Sequence, residues 1–329
     1  MRVMAVVAAL VVLVMAGGVL WAQGEEPVLL QYKFVPGRTV NYEATGNGTM
    51  PMSLNTGPEA GNQTIAMHMA MDMRVGIKET CEEVLEDGKG KMLIALPLMI
   101  TQVSTAVADQ AVDALVTWEN NRLAVTVNGQ PVPGDQNTEQ LTTLLKNPLK
   151  LIVTPTGAAK LDEETLQLLG DMANNPLSGF SYSLNSLTAG LSEQPVKTGD
   201  TWEVIITGEQ TNGTLEGSAT CKLTGFEEVE GLHCARIEGE AQMRSLKALP
   251  NLSVGGQGDS EISAMDLSIR FVNYFAPEAG HMVRSTMDMI QNMSMVVTVG
   301  GQGGAQAMRL PAKIENGQMH MEMRYKPAE

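Results

Sequence analysis

Two short stretches of the sequence combine methionine and histidine, the side chains that could bind a soft metal ion. The first reads QTIAMHMAMDMRVGIK, from Gln63 to Lys78, and the second reads GQMHMEMRYK, from Gly317 to Lys326. Thioether and imidazole groups are both ligands of copper. The spacing therefore suggests two interpretations, a Cu(I) site or the apolar face of two β-strands.

Strict alternation in both stretches favours β-strands. Across residues 65–77 every odd position is apolar, and every even position is polar or small. Because successive side chains of a strand point to opposite faces, His68 is predicted on the opposite face from Met67 and Met69. The histidine of the second stretch is separated from its methionine neighbours in the same way. The alternation thus favours apolar packing over a metal site, and no resident metal is predicted.

The methionines are instead predicted to form an apolar wall. The chain contains 23 methionines and only 5 phenylalanines, so methionine replaces the usual core residues. Methionine is flexible and polarisable, and it lines surfaces that accept varied apolar ligands. The predicted ligand-binding wall consists of Met67, Met69, Met71, Met287, Met289, Met319 and Met321.

Most of the chain carries the same strand pattern. A strand across residues 65–77 would span ~43 Å, and strands this long are typical of strongly curved or twisted antiparallel sheets. Helical spacing of leucines occurs only mid-chain, in the stretches that begin at Asn137, Leu161 and Ser183. The sequence predicts a mainly β fold, a strongly curved antiparallel sheet with a short helical insert.

An internal similarity divides the chain into two β units. The stretch FVPGRTVNYEATG, residues 34–46, resembles VKTGDTWEVIITG, residues 196–208, with a Gly and a Thr at matching positions. We interpret this similarity as a duplicated β unit. The predicted division is a signal peptide at 1–24, a first β unit at 25–135, a helical insert with a short β-hairpin at 136–194 and a second, similar β unit at 195–329.

Three stretches also carry a resemblance to known proteins. LQYKFVPGRTVNYE near the start, PVKTGDTWEV mid-chain and YFAPEAGHMVRS near the end resemble bacterial secreted families of unknown function. Those families are similar in architecture to the lipoprotein-carrier (LolA/LppX-like) half-barrels. The resemblance implies a half-barrel-like sheet with helices laid against its concave face. It transfers no catalytic or binding residue, because the shared residues are turn and packing residues.

The N-terminus predicts export. Arg2 precedes an apolar run that extends from Val3 to Leu20, and small residues follow it. This order of charged, apolar and small residues is typical of a secretory signal peptide, here cleaved after Ala22 or Gly24. An uncleaved membrane anchor is the alternative. With cleavage, we predict a secreted or periplasmic bacterial protein without stable membrane insertion.

Charge, cysteine content and missing motifs narrow the function classes. A formal net charge of −15 opposes nucleic-acid binding. The three cysteines do not form a disulfide framework, and alternation places Cys221 and Cys234 on opposite faces of a hairpin. The sequence contains no zincin, nucleophile-elbow or Walker motif. We therefore predict no enzyme and no cofactor.

The predicted function is that of an exported, non-enzymatic binding protein. A lipid or another hydrophobic small molecule is the expected partner, held on the methionine-lined concave face. Two alternatives stay open, a periplasmic Cu(I)-binding protein that uses the same methionines and a structural envelope protein without a small ligand. The sequence does not decide whether the helices fill the concave face, and it identifies no protein partner.

Overall fold

The computed structural model describes residues 26–56, 63–107, 110–132, 136–169, 190–206, 215–245, 260–299 and 308–327. The predicted signal peptide lies outside these residues. Most of the third leucine-spaced stretch, which begins at Ser183, lies outside them too.

The described residues form long strands and two short helices. In chain order the elements are β1 (Thr39–Asn55), β2 (Thr64–Val84), β3 (Gly90–Val107), β4 (Gln110–Glu119), β5 (Arg122–Val127), β6 (Gln130–Pro131), α1 (Gln136–Lys146), β7 (Leu149–Val153), β8 (Ala159–Leu161), α2 (Glu163–Leu169), β9 (Thr201–Ile206), β10 (Leu215–Val229), β11 (Leu232–Ser245), β12 (Ser260–Ala276), β13 (His281–Val299) and β14 (Met308–Lys326).

All the strands belong to one antiparallel sheet. The order along the sheet is β6-β5-β4-β3-β2-β1-β14-β13-β12-β11-β10-β9, and the β7–β8 hairpin branches from β3. The sheet is open, with β6 and β9 at the ends of this path. The predicted mainly β, antiparallel fold class is therefore confirmed.

The first and last strands join the two halves of the sheet. β1 pairs with β2 on one side and with β14 on the other, and the pairing with β14 runs from Asn41–Lys326 to Leu54–Ala312. On either side of this seam lie β2 to β6 and β13 to β9. The similar sequences near residues 37 and 199 therefore lie in different halves of a single sheet.

The two similar sequences form the same turn. Gly37 has φ 81° and its N–H donates to the carbonyl of Cys81 at 2.8 Å. Gly199 has φ 97° and donates to the carbonyl of Leu223, also at 2.8 Å. Both glycines adopt the left-handed conformation that other residues rarely take. Each turn leads into an antiparallel pair, β1–β2 and β9–β10. The sequence similarity thus has a structural counterpart, while the predicted unit boundaries stay a prediction.

The main hydrophobic core collects residues from distant parts of the sheet. Ile94 in β3 and Leu223 in β10 belong to one buried cluster, although six strands separate β3 from β10 in the sheet order. Two strands so far apart share a core only where the sheet curls around it. Helix α1 adds Leu144 and Leu145 to this side of the structure, the latter 8% exposed.

Residues 26–38, here called the N-terminal strap, cross one end of the core. Leu30 of the strap is fully buried. Backbone hydrogen bonds of 2.8 to 3.0 Å attach the strap to four separate parts of the chain, through the pairs Val28–Val196, Tyr32–Pro155, Lys33–Gly280 and Gly37–Cys81. The strap therefore covers this end of the sheet. Neither helix in the described ranges is long and apolar enough to cross a membrane.

Candidate functional site

The seven predicted wall methionines lie on one face of three strands, β2, β14 and β13, and β1 lies between β2 and β14. β2, β1, β14 and β13 are neighbours in the sheet, and their register aligns five of these methionines in two cross-strand rows. One row joins Met71, Gly48, Met319 and Met289, and the next joins Met73, Gly46, Met321 and Met287. We call the surface formed by Met67, Met69, Met71, Met73, Met287, Met289, Met319 and Met321 the methionine patch.

Two glycines of β1 lie at the centre of the patch. A Cβ atom placed on Gly46 would lie 3.1 Å from Cγ of Met73 and 3.2 Å from Cγ of Met321. The two methionine side chains therefore approach each other across a strand that has no side chain at this point. Sequence reasoning missed Gly46, Gly48 and Met73. The two glycines could have been found from their spacing, because strand residues two positions apart lie on the same face.

The patch changes from buried to half-buried across its width. Met287 is 1% exposed and Met321 is 4% exposed, and both belong to the main core. Met289 and Met319 are half-buried and pack against that core. The wall methionines of β2 follow a different pattern, because they are half-buried and belong to none of the described core clusters. These β2 residues are Met67, Met69 and Met71.

Both histidines of the methionine-rich stretches lie on the other face of the sheet. His68 is exposed, whereas Met67 and Met69 beside it are half-buried. His320 is also exposed, and its Nδ1 lies 2.7 Å from the Asp288 carboxylate. The mixed methionine–histidine set is thus divided by the sheet. Within the described ranges, no three His, Cys, Asp or Glu side chains are grouped to hold a metal ion.

The outer face, which carries these histidines, bears two open grooves. Their volumes are about 370 and 550 Å³, and both are lined by Asn47, Asp72 and His320. Met71, Met289 and Met319 also border the larger groove, because each is next in the chain to a polar residue that lines it. Ligand pockets of this volume are usually apolar and enclosed. These two grooves are open and have mixed polar and apolar linings, and residues of the methionine patch border both of them.

Ion pairs cover the outer face around the grooves. Glu43 accepts from Arg74 at 2.8 Å and pairs with Lys326 at 3.1 Å, and these cations hold its pKa below the usual range. Glu322 pairs with Arg324 at 2.9 Å and Arg284 at 2.6 Å, which also lowers its pKa. Exposed pairs of this kind contribute little stability. They indicate a water-facing surface, in contrast to the methionine patch.

The covered end of the sheet contains a different set of polar groups. Glu79 shares the inner face of β2 with Val75 and Ile77, and burial raises its pKa to about 7. The hydroxyl of Tyr32 is buried and has no hydrogen-bond partner among the described residues. Burial also raises the pKa of Tyr32 and of Tyr42, and the nearby Glu79 carboxylate adds to both shifts. Tyr32 belongs to the N-terminal strap, and Glu79 and Tyr42 lie near it.

The three cysteines are free and buried. Cys221 belongs to the main core, whereas Cys234 belongs to a separate small cluster with Ala276 and Val283. The prediction that Cys221 and Cys234 do not bridge is confirmed. Burial raises the pKa of Cys221 to about 12 and that of Cys234 to about 11, so both thiols stay protonated at neutral pH.

Comparisons with known proteins do not identify a family. No family model matches the sequence, and no curated protein matches it. Among solved structures, a candidate exported protein with a YmcC-like fold from Bacteroides fragilis is 10% identical, with a TM-score of 0.21 over 91% of this chain and 100% of its own. An outer membrane channel from Pseudomonas putida F1 is 7% identical, with a TM-score of 0.23 over 90% of this chain and 98% of its own. Both scores are too low to supply a function.

Proposed function

We propose that the protein is an exported, non-enzymatic binding protein that holds an apolar, lipid-like molecule on the methionine patch. The observation that carries this proposal is the position of Met67, Met69 and Met71. These three residues share a face with the buried methionines, yet they remain half-buried and outside the described core clusters. An apolar ligand would remove their remaining surface from water, which is favourable.

The chemistry of the surface supports an uncharged or weakly polar ligand. From residue 65 to residue 73, the inner face of β2 carries Ile65 followed by four methionines. Their thioethers adapt to ligands of varied shape and offer only weak hydrogen-bond acceptors. The formal net charge of −15 further disfavours an anionic ligand. A long alkyl chain or a neutral aromatic molecule fits this surface.

Export is the second part of the proposal. It rests on the charged, apolar and small-residue order of residues 1–24. The LolA/LppX-like resemblance supports a carrier in the same compartment. The packing of Leu144 from α1 against the main core agrees with helices laid on the inner side of such a sheet.

A titration with 1-N-phenylnaphthylamine, a neutral apolar probe, tests the binding face. We expect saturable fluorescence enhancement by the wild-type protein and a loss of affinity of about tenfold or more in Met69→Lys, because a charge would be placed in the apolar wall. His68→Lys is the matched control. It adds the same charge one residue away on the exposed outer face and should leave affinity unchanged.

Equal effects of the two variants, or the absence of saturable binding, would contradict the proposal. Native mass spectrometry of the protein from its own envelope fraction provides an independent check. Added mass that extracts into organic solvent would support a hydrophobic cargo and identify it. Added mass of copper, removed by a chelator, would instead support the Cu(I) alternative.

A further inference from the structure

The methionine patch contains sulfur atoms in two different environments. Met287 and Met321 are at most 4% exposed, so oxidants in solution do not reach them without opening of the structure. Met67, Met69 and Met71 keep contact with solvent and belong to none of the described core clusters. The same residue type on the same face therefore differs in access to oxidants.

Thioether oxidation follows this difference in access. In reaction with hydrogen peroxide, a lone pair of the methionine Sδ forms an S–O bond as the peroxide O–O bond breaks. The sulfur loses two electrons, and the second peroxide oxygen takes up the remaining proton and leaves as water. The product is a polar, chiral sulfoxide in place of an apolar thioether.

We propose that Met67, Met69 and Met71 form a reversible oxidation site, and that its sulfoxide form releases the apolar ligand. The effect on binding rests on the proposed function, whereas the location of the oxidation does not. A sulfoxide oxygen is a strong hydrogen-bond acceptor, and an apolar ligand placed over it would strip away its water without replacing the hydrogen bonds. Three sulfoxides at alternate positions of one strand would make the binding wall polar.

The fold would tolerate this change. The three residues point away from the exposed outer face but lie beyond the buried part of β2, which begins at Val75. A polar oxygen at these half-buried positions stays in contact with water. The same oxygen on Met287 would be enclosed in the main core without a partner. Oxidation at the β2 site therefore changes the surface while the core packing is retained.

Reversal needs two reducing equivalents for each sulfoxide. Two thiols supply them, the sulfoxide oxygen leaves as water, and the thiols become a disulfide. Methionine sulfoxide reductases catalyse this step with one enzyme for each sulfoxide epimer. The three buried cysteines of the chain are not placed to supply the thiols, since their burial keeps them inert.

The test combines a residue-resolved oxidation map with the binding titration. The protein is treated with hydrogen peroxide, sampled over time and analysed by peptide mass spectrometry, with 1-N-phenylnaphthylamine affinity measured on each sample. We expect sulfoxide on Met67, Met69 and Met71 about tenfold faster than on Met287 and Met321. Affinity should fall in parallel and recover after treatment with the two reductases.

The triple variant Met67→Leu, Met69→Leu and Met71→Leu is the matched control, because leucine conserves volume and apolarity but cannot be oxidised. Its own probe affinity is measured before and after peroxide treatment, and the ratio of these two affinities should stay at one, whatever the starting affinity. Faster oxidation of the buried methionines would overturn the site itself. Loss of binding by the oxidised triple variant would overturn its role in ligand release. If the wild type never binds the probe, the proposed function and the proposed ligand release are both rejected. The oxidation map would still test whether Met67, Met69 and Met71 are the oxidation site.

Discussion

β2 runs through two regions of the molecule with contrasting environments. From residue 75 to residue 81 its inner face is covered, with Val75, Ile77 and Cys81 at most 2% exposed. From residue 67 to residue 73 the same face of the same strand is only half-buried. Both regions are apolar and both continue the same alternation. The difference arises from what lies over the strand, namely the N-terminal strap and the opposite half of the curled sheet.

The two regions of β2 share one alternation of apolar and polar residues, but the covered region serves folding and the half-buried region is proposed to serve binding. Where distant elements contact the strand, its side chains stabilise the fold. At Met67, Met69 and Met71, which belong to none of the described clusters, similar side chains retain surface that a ligand could cover. Residue type therefore does not distinguish the two roles, and burial does.

The sharpest test of the contrast compares one alanine substitution in each region. We expect Met287→Ala to lower the free energy of unfolding by about 3 kcal/mol, because it leaves a cavity in the main core. Met69→Ala should cost less than about 1 kcal/mol, since the half-buried side chain leaves little cavity. Urea denaturation monitored by tryptophan fluorescence measures both. Equal losses would show that the two regions are packed alike.

A second test uses the buried carboxyl group of the covered region. The pKa of Glu79 is raised from its usual value to about 7, so the folded state favours the protonated form. The stability that this preference contributes is fully present below about pH 4.5 and is lost as the pH rises through 7. We expect a loss of about 2 kcal/mol in total, after allowing for the remaining solvent contact of the side chain.

In Glu79→Gln this decrease between pH 4.5 and 8 should be absent. The measurement is the free energy of unfolding of both proteins across that pH range. Glu83→Gln, at an exposed position of the same strand, is the control and should keep the wild-type dependence. A wild-type pH dependence that persists in Glu79→Gln would show that another group is responsible.

The smallest expected effect concerns the strap. Tyr32→Phe removes a buried hydroxyl that lacks a partner among the described residues, and it keeps the ring contact with Phe275, whose centroid is 5.2 Å away. We expect a gain of about 1 kcal/mol in unfolding free energy, because an unsatisfied buried hydroxyl is costly. Tyr32→Leu separates the two contributions, since it also loses the ring and should destabilise the protein. A loss of stability in Tyr32→Phe would reveal a hydrogen bond to water.

Local periodicity predicted the strands and the faces on which their side chains lie. Alternation alone placed Met67 and Met319 on the inner face and His68 on the outer one, because a strand side chain has only two directions. A short β-hairpin within residues 136–194 was also predicted, and β7 and β8 form a hairpin there. These features depend on residues close in sequence.

Contacts between distant residues could not be predicted in this way. The pairing of β1 with β14 brings Gly46 between Met73 and Met321. No pattern within a short stretch of the sequence predicts this pairing. The strap had no strand or helix signal, yet its Leu30 is fully buried. The burial gradient across the methionine patch follows from these long-range contacts. The sequence therefore predicted the face on which these methionines lie but not which of them remain half-buried.

The seam between β1 and β14 also imposes an order in time on the formation of the sheet. About 250 residues separate the two strands along the chain, and at ordinary translation rates they emerge roughly 10 to 50 seconds apart. Until β14 is available, β1 and β13 both present unpaired edges, which are prone to pair with other chains. Closing a loop of this length is also slow. An export route that delivers the complete chain before folding begins would spare the protein this long-lived, aggregation-prone intermediate.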